Sequence, residues 1–202
     1  MIPSFSNLKG NPFAVVDVET TGRVGGYHEI VQIAIVPMTL DLEVAEDISP
    51  FYQNIRPNFP ERAEKRAEGV HGLQMDDLLI NAPTQDRVLD YLLEWFAKLP
   101  LGHGRRLTPI AHNWGFERSF LTPWLGPELM NTIFTPHPRD TMILSSMLND
   151  RANMKGDQPP FKYVGLEYMC KLFGIELVGA HNALQDSIAT AKLYSSLMRA
   201  IL

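Results

Sequence analysis

The stretch Val15-Val16-Asp17-Val18-Glu19-Thr20-Thr21-Gly22 frames the whole chain. A strand turns alternate side chains to opposite faces, so Asp17 and Glu19 share one face while Val16 and Val18 share the other. Two acids side by side at a strand end repel each other unless something cationic lies between them. The valines bury the second face, which makes a solvated acidic surface a poor account of the pair. Thr20, Thr21 and Gly22 close the strand with small residues that let backbone N–H groups approach a ligand closely. The pattern favours a metal site over an ordinary strand ending in a polar turn, and it needs partners from elsewhere in the chain.

The bulk composition limits the alternatives. A chain of 202 residues with 45% hydrophobic content is long and apolar enough for a sizeable core, and a single domain over residues 1–202 is expected. With a net charge of −5 there is no global positive field to draw in nucleic acid or a membrane, so a polyanion would be held by local basic loops or bound cations. One cysteine, Cys170, excludes an internal disulfide and suits a reducing compartment. Met1-Ile2-Pro3-Ser4-Phe5 lacks the blocks of a signal peptide, and no apolar run is long enough to span a bilayer. A cytoplasmic protein is expected.

Taken in order, Phe13–Val18, Ile30–Pro37 and Phe51–Ile55 read as strands, and no helix need intervene, so an antiparallel start is expected. Between the first two, Gly22–Tyr27 reads as a mobile turn whose Arg23 and Tyr27 are ordinary loop residues. Glu61–Glu68 reads as a short charged helix, followed by a turn at Gly72. Thr84 caps a helix in which Val88, Leu92, Trp95, Phe96 and Leu99 recur at core spacing. Pro109-Ile110-Ala111 is a buried strand leading to a helix through Phe116, Phe120 and Leu121, with Glu117 one step round from the packed stripe. Asp140 caps Met142–Leu148, Arg151–Tyr163 is the longest irregular segment, and Val164–Phe173 ends at Gly174. A long amphipathic helix follows His181, with Asp186 in its first turns, where the helix dipole favours an anion. Strands early and helices late, with one strand between, give an α/β class with a mixed sheet.

Two strand-end acids, an acid on a middle helix, and a His plus an acid opening the last helix form one constellation. Its order and local sequences resemble the DnaQ-like, DEDDh-type 3′→5′ exonucleases, which have a ribonuclease H-like fold with a mixed central β-sheet flanked by helices. Asp17-Val18-Glu19-Thr20-Thr21-Gly22 is similar to the family's first motif, His112-Asn113-x-x-Phe116-Glu117 to the second, and His181-x-Ala183-Leu184-x-Asp186 to the third. Val70-His71-Gly72-Leu73 and Gly165-Leu166-x-x-Met169-Cys170 also resemble segments of proofreading subunits, so the similarity covers nearly the whole chain.

The resemblance implies catalysis by Asp17, Glu19, Glu117, His181 and Asp186, with the four acids holding two Mg²⁺ or Mn²⁺ ions and His181 acting as general base. A site of carboxylates suits magnesium, which prefers hard oxygen ligands, and an imidazole of ordinary pKa near ~6.5 suits proton transfer at neutral pH. Thr20, Thr21, Gly22 and Asn113 would hold the terminal nucleotide, with Val70, His71 and Phe116 bordering its base. One position departs from the pattern: the family's second motif carries Asp where this chain has Glu117, and the added C–C bond extends the carboxylate by about 1.5 Å. The expected substrate is the 3′ end of a single strand, DNA rather than RNA, with the Arg151–Lys162 loop contributing attraction for phosphate. An exoribonuclease and a nucleic-acid-binding module that has lost turnover are the alternatives. Self-association as a homodimer and entry into a larger replication or processing complex are the two partner expectations.

Overall fold

The computed structural model describes residues 10–201, so the Met1–Phe5 reading lies outside the described residues. Three strands, β1 (Phe13–Thr20), β2 (Ile30–Pro37) and β3 (Phe51–Asn54), form the expected antiparallel start. On the other side of β1 lies β4 (Thr108–Ala111), parallel to it, and then the short β5 (Arg139–Asp140), parallel to β4. The sheet order is therefore β3-β2-β1-β4-β5, with β1 at the centre and paired on both edges. A β-bulge interrupts the β1–β2 register between Glu19 and Thr20, which turns the end of β1 away from regular pairing.

Alternation along β1 assigns its two faces. Val16 and Val18 pack with Val88 and Leu92 of α3 (Gln85–Lys98) and with Phe120 and Leu121 of α4 (Trp114–Ile133). Val15 faces the other way, onto Ala191 and Tyr194 of α7 (Ala183–Ile201). Behind α7, Leu193 and Leu197 meet Phe161, Met169 of α6 (Leu166–Leu172), and Leu144 and Leu148 of α5 (Thr141–Met154). Asp17 and Glu19 thus share the face that looks toward α7. Among the described residues, no helix is long and apolar enough to cross a membrane.

Local chemistry sets the helix starts where the sequence placed them. Thr84 accepts from Arg87 N at the head of α3, and Asp140 Oδ1 accepts from Met142 N and Ile143 N at the head of α5. Several boundaries differ. The charged segment at Glu61 opens as a 3₁₀ turn over Pro60–Arg62, and α1 proper spans Lys65–His71. A seven-residue helix, α2 (Met75–Asn81), was not anticipated; it buries only Leu78, too little for a periodic signal. α5 runs through Met154, so Arg151 belongs to a helix and the irregular segment begins after it. α4 continues well past Leu121, kinking at Gly126 between Pro123 and Pro127.

The glycine-rich turn after β1 packs closely at two of its glycines. A Cβ on Gly22 would lie 2.4 Å from the His28 ring, and one on Gly25 would lie 2.2 Å from the Ser119 carbonyl oxygen in α4. These glycines therefore serve close approach. Gly69, in α1, has nothing within 4 Å of its would-be Cβ. Gly25→Ala is expected to cost about 1–3 kcal/mol through overpacking, while Gly69→Ala is expected to stabilise by up to about 1 kcal/mol through helix propensity. Urea denaturation of both variants checks this, and equal stabilities would remove the close approach at Gly25.

Candidate active site

The sheet and the last helix bring three distant acids together. Asp17 and Glu19 project from the C-terminal end of β1, and Asp186 comes from the first turn of α7. One carboxylate oxygen from each lies within 4.8 Å of the other two. Asp186 is buried, and its Oδ1 has no hydrogen-bond partner. Glu117, in the first turn of α4, is 3% exposed rather than merely adjacent to the packed face, and its Oε2 is likewise buried without a partner. It stands outside the tight triad but close enough to act on the charge of Asp17.

Burial raises all four groups, and repulsion between carboxylates adds to it at Asp17, Glu19 and Glu117. Burial raises the Asp17 carboxyl well above its usual range, helped by Glu117, Glu19 and Asp186. Glu19 is pushed up to about 8, by burial and then by Asp186. Burial also raises Glu117, with Asp140 and Glu19 adding repulsion, and raises Asp186 against the opposing effect of His181. Desolvated like charges with orphaned oxygens form a site that a hard divalent cation satisfies: it supplies the missing charge, and carboxylates are the ligands such cations take. Asp17, Glu19 and Asp186 would hold the metal.

His181 enters through an unusual backbone. Its φ is 65°, a left-handed conformation, and its N–H donates to Asp186 Oδ2 at 3.0 Å. The next two residues are pinned from neighbouring strands. Asn182 Oδ1 accepts from Leu184 N and Gln185 N, capping α7, while its Nδ2 donates to Tyr52 Oη at 2.8 Å. Ala183 N donates to Gln32 Oε1 at 2.8 Å, and Gln32 Nε2 donates to Asn54 Oδ1. Gln32 sits opposite Glu19 in the β1–β2 register and is 1% exposed. Sequence reading missed this brace, although a lone amide inside the apolar run Ile30-Val31-Gln32-Ile33-Ala34-Ile35 signals a specific partner, since buried polar groups are almost always paired.

Beside Glu19 opens a cleft of about 280 Å³. Of the residues expected to hold the terminal nucleotide, Thr20, Gly22, Val70, His71 and Phe116 line it. Burial lowers the His71 pKa, so the ring is a neutral wall whose Nδ1 accepts from Leu73 N. Thr21 and Asn113 lie outside the cleft. Thr21 is 2% exposed and its Oγ1 accepts from Glu29 N, bracing the turn. Asn113 starts α4 with φ 93°, its N–H donating to Asp140 Oδ1 while Trp114 N donates to Asp140 Oδ2. Arg23 and Arg66 also line the cleft; Arg66 went unremarked in the sequence because it sits in a stretch of mixed charge.

This geometry accords with what the chain is similar to. Residues 14–194 match the RNase_T exonuclease family, and the chain belongs to it. The PolC-type DNA polymerase III of Staphylococcus epidermidis (strain RP62A) is 28% identical over 204 residues, 98% of this chain. That of Staphylococcus aureus (strain bovine RF122) is 27% identical over 199 residues, 95% of this chain. The chain spans 12% of the length of each polymerase. Among solved structures, the nuclease domain of 3′hExo, a DEDDh family member bound to rAMP, aligns with a TM-score of 0.67 at 19% identity, over 95% of this chain and 94% of that one. A zinc-bound E. coli ExoI–ssDNA complex aligns with a TM-score of 0.74 at 16% identity, over 95% of this chain and 41% of that one. The fold is thus the ribonuclease H-like arrangement of a DnaQ-like exonuclease, as the three motifs implied.

The raised carboxyls make stability depend on pH with a definite sign. A carboxyl that holds its proton more tightly when folded stabilises the fold below its ordinary range, near 4.5 for Glu19, and loses that contribution as pH climbs through about 8. In chelator, the melting temperature is expected to fall between pH 5 and 8, by about 2–4 °C for each kcal/mol lost. Magnesium is expected to raise it more at pH 8 than at pH 6, because binding at the lower pH must first displace protons. Thermal melts in four buffers check this, and a magnesium gain largest at pH 6 would sink the electrostatic account.

Proposed function

We propose that the chain acts as one metal-dependent 3′→5′ exonuclease domain, releasing nucleoside 5′-monophosphates from the 3′ ends of single-stranded DNA. The observation that carries this is the convergence of the Asp17, Glu19 and Asp186 carboxylates around a space where Asp186 keeps a buried, unpartnered oxygen. Membership in the RNase_T exonuclease family supports the reaction class. The likeness to PolC-type DNA polymerases supports DNA over RNA and a place in a larger replication or processing complex. An RNA substrate is the second reading, favoured by the alignment with a nuclease domain bound to rAMP.

Asp17, Glu19 and Asp186, with Glu117 close by, would hold Mg²⁺ or Mn²⁺. Bound there, such ions supply Lewis-acid activation of a water on one side of the phosphodiester and charge for the leaving oxygen on the other. The cleft residues Val70, His71 and Phe116 border the terminal base, and the Thr20–Gly22 backbone closes on its sugar. His181 takes the proton of the attacking water as the P–O bond to the upstream 3′ oxygen breaks, releasing the terminal nucleotide with its 5′ phosphate. Clamping of Asn182 by Tyr52 and of Ala183 by Gln32 fixes the turn next to His181, which lowers the entropic cost of placing its ring. The longer arm of Glu117 is accommodated by its buried position at the head of α4.

Matched 3′-labelled DNA and RNA strands, with magnesium and with chelator, test the reading; no cleavage of either strand would sink it. Glu117→Ala is expected to lose activity on the order of a hundredfold while Glu117→Asp retains it. Equal activity of Glu117→Ala and the unmodified protein would remove Glu117 from the site. Single strands are expected to be cleaved faster than blunt duplexes, because a paired end must fray before its last phosphate reaches the acids.

A further inference from the structure

The terminal-nucleotide cleft lies at the end of β1 on the side of α1 and α4, whereas the acids face α7. A strand whose last base sits in that cleft therefore crosses the acid cluster and leaves toward the α5–α7 side. The Val15–Ile110 pairing of β1 and β4, continued two residues, draws His112 level with Asp17. There the His112 ring is bonded to Thr141 Oγ1 at 2.7 Å, at the head of α5, and Val164, just before α6, packs on the cluster formed by Phe161 with Leu193 and Leu197 of α7. The segment before α6 thus lies on the α5–α7 side, toward which the strand leaves.

That segment presents a prepared surface. Asn149 holds Phe161 at both ends of its peptide unit, donating to its carbonyl at 2.8 Å and accepting from its N–H at 3.0 Å. Phe161 is buried, and Val164 packs against the same apolar cluster, so Lys162 and Tyr163 project from between two fixed points. Tyr163 is 58% exposed, too much for a core aromatic. Its ring meets Tyr168 edge-on with centroids 5.4 Å apart, and the Lys162 ammonium lies 5.2 Å from its centroid. Lys162 has no ion pair among the described residues. Alongside runs an open groove of about 650 Å³ lined by Asn153, Gln158, Lys162 and Tyr168, with Asp150 as its only acid.

An exposed aromatic face beside an uncommitted cation is the combination that holds single-stranded nucleic acid without reading its sequence: the ring stacks a base and the ammonium meets a phosphate. We propose that Tyr163 and Lys162 form a second binding station, which takes nucleotides upstream of the scissile phosphate. The proposal rests on the exonuclease reading for the direction of the strand. It makes affinity depend on strand length, because a strand too short to pass the acid cluster cannot reach Tyr163.

Equilibrium binding tests it separately from cleavage. Fluorescence anisotropy is measured with 5′-labelled oligothymidylates of three and twelve nucleotides, in magnesium, on protein carrying His181→Ala to block turnover. Adding Tyr163→Ala and Lys162→Ala is expected to weaken the twelve-nucleotide strand on the order of tenfold and to leave the three-nucleotide strand within about twofold. Tyr163→Phe, which keeps the ring, is expected to bind the longer strand as the parent does. Equal losses at both lengths, or no loss at either, would overturn the station. Failure of the exonuclease reading shows elsewhere, as absence of cleavage by the unmodified protein, and leaves the binding result interpretable.

Discussion

Four carboxylates held out of water within each other's field are the constraint on which this structure depends. Asp17, Glu19, Asp186 and Glu117 each have their proton affinity raised first by burial; Glu117, Glu19 and Asp186 raise Asp17 further, Asp186 raises Glu19, and Glu19 raises Glu117. No arrangement of protein groups visible around them answers that charge: among the described residues, Asp186 Oδ1 and Glu117 Oε2 have no donor. A fold can carry such a cluster only if the surrounding core is strong enough to bear it. Here β1 lies at the centre of the sheet, paired on both sides and packed on both faces. The acids occupy the end of the element least able to move away from them.

Rigidity at the site is built from polar contacts between segments far apart in sequence. Gln32 and Tyr52, on two successive strands, fix the turn that carries His181, while Asp140 accepts backbone N–H groups from the starts of both α4 and α5. The turn after β1 is held the same way, with Thr21 bonded to Glu29, and His28 against Gly22 and paired with Glu64 at 3.4 Å. The first of these braces ties the loop bearing His181 to strands that carry no site residue. Placement of the reacting groups is thereby a property of the scaffold and not of the loops themselves.

In the proposed reading, the cleft beside Glu19 and the surface around Tyr163 divide the handling of a strand between two chemistries. The first, about 280 Å³, is lined by an imidazole and an aromatic ring. The second is open and polar, with an ammonium over one exposed ring. In a chain of net charge −5, attraction for a polyanion has to be local, and Arg23 and Arg66 at the cleft and Lys162 beside Tyr163 are cations that could supply it.

Much of this was legible in the sequence, for reasons that differ by element. Strand β1 announced itself through valines alternating with acids and β2 through its run of β-branched residues, and the Thr84 and Asp140 caps through local hydrogen-bonding chemistry. The three motif segments were readable because a strand-end acid pair and a helix-opening His and Asp are short-range patterns. The sequence by itself therefore determined the α/β class, the central strand and the set of acids. Only the tertiary structure decided that Gln32 and Tyr52 support His181, that Thr21 and Asn113 turn away from the cleft, that the glycine turn is packed, and that Glu117 is buried beside Asp17 rather than set a step aside. Those facts depend on contacts between residues up to 151 positions apart, and neither side-chain periodicity nor turn chemistry carries information over such distances.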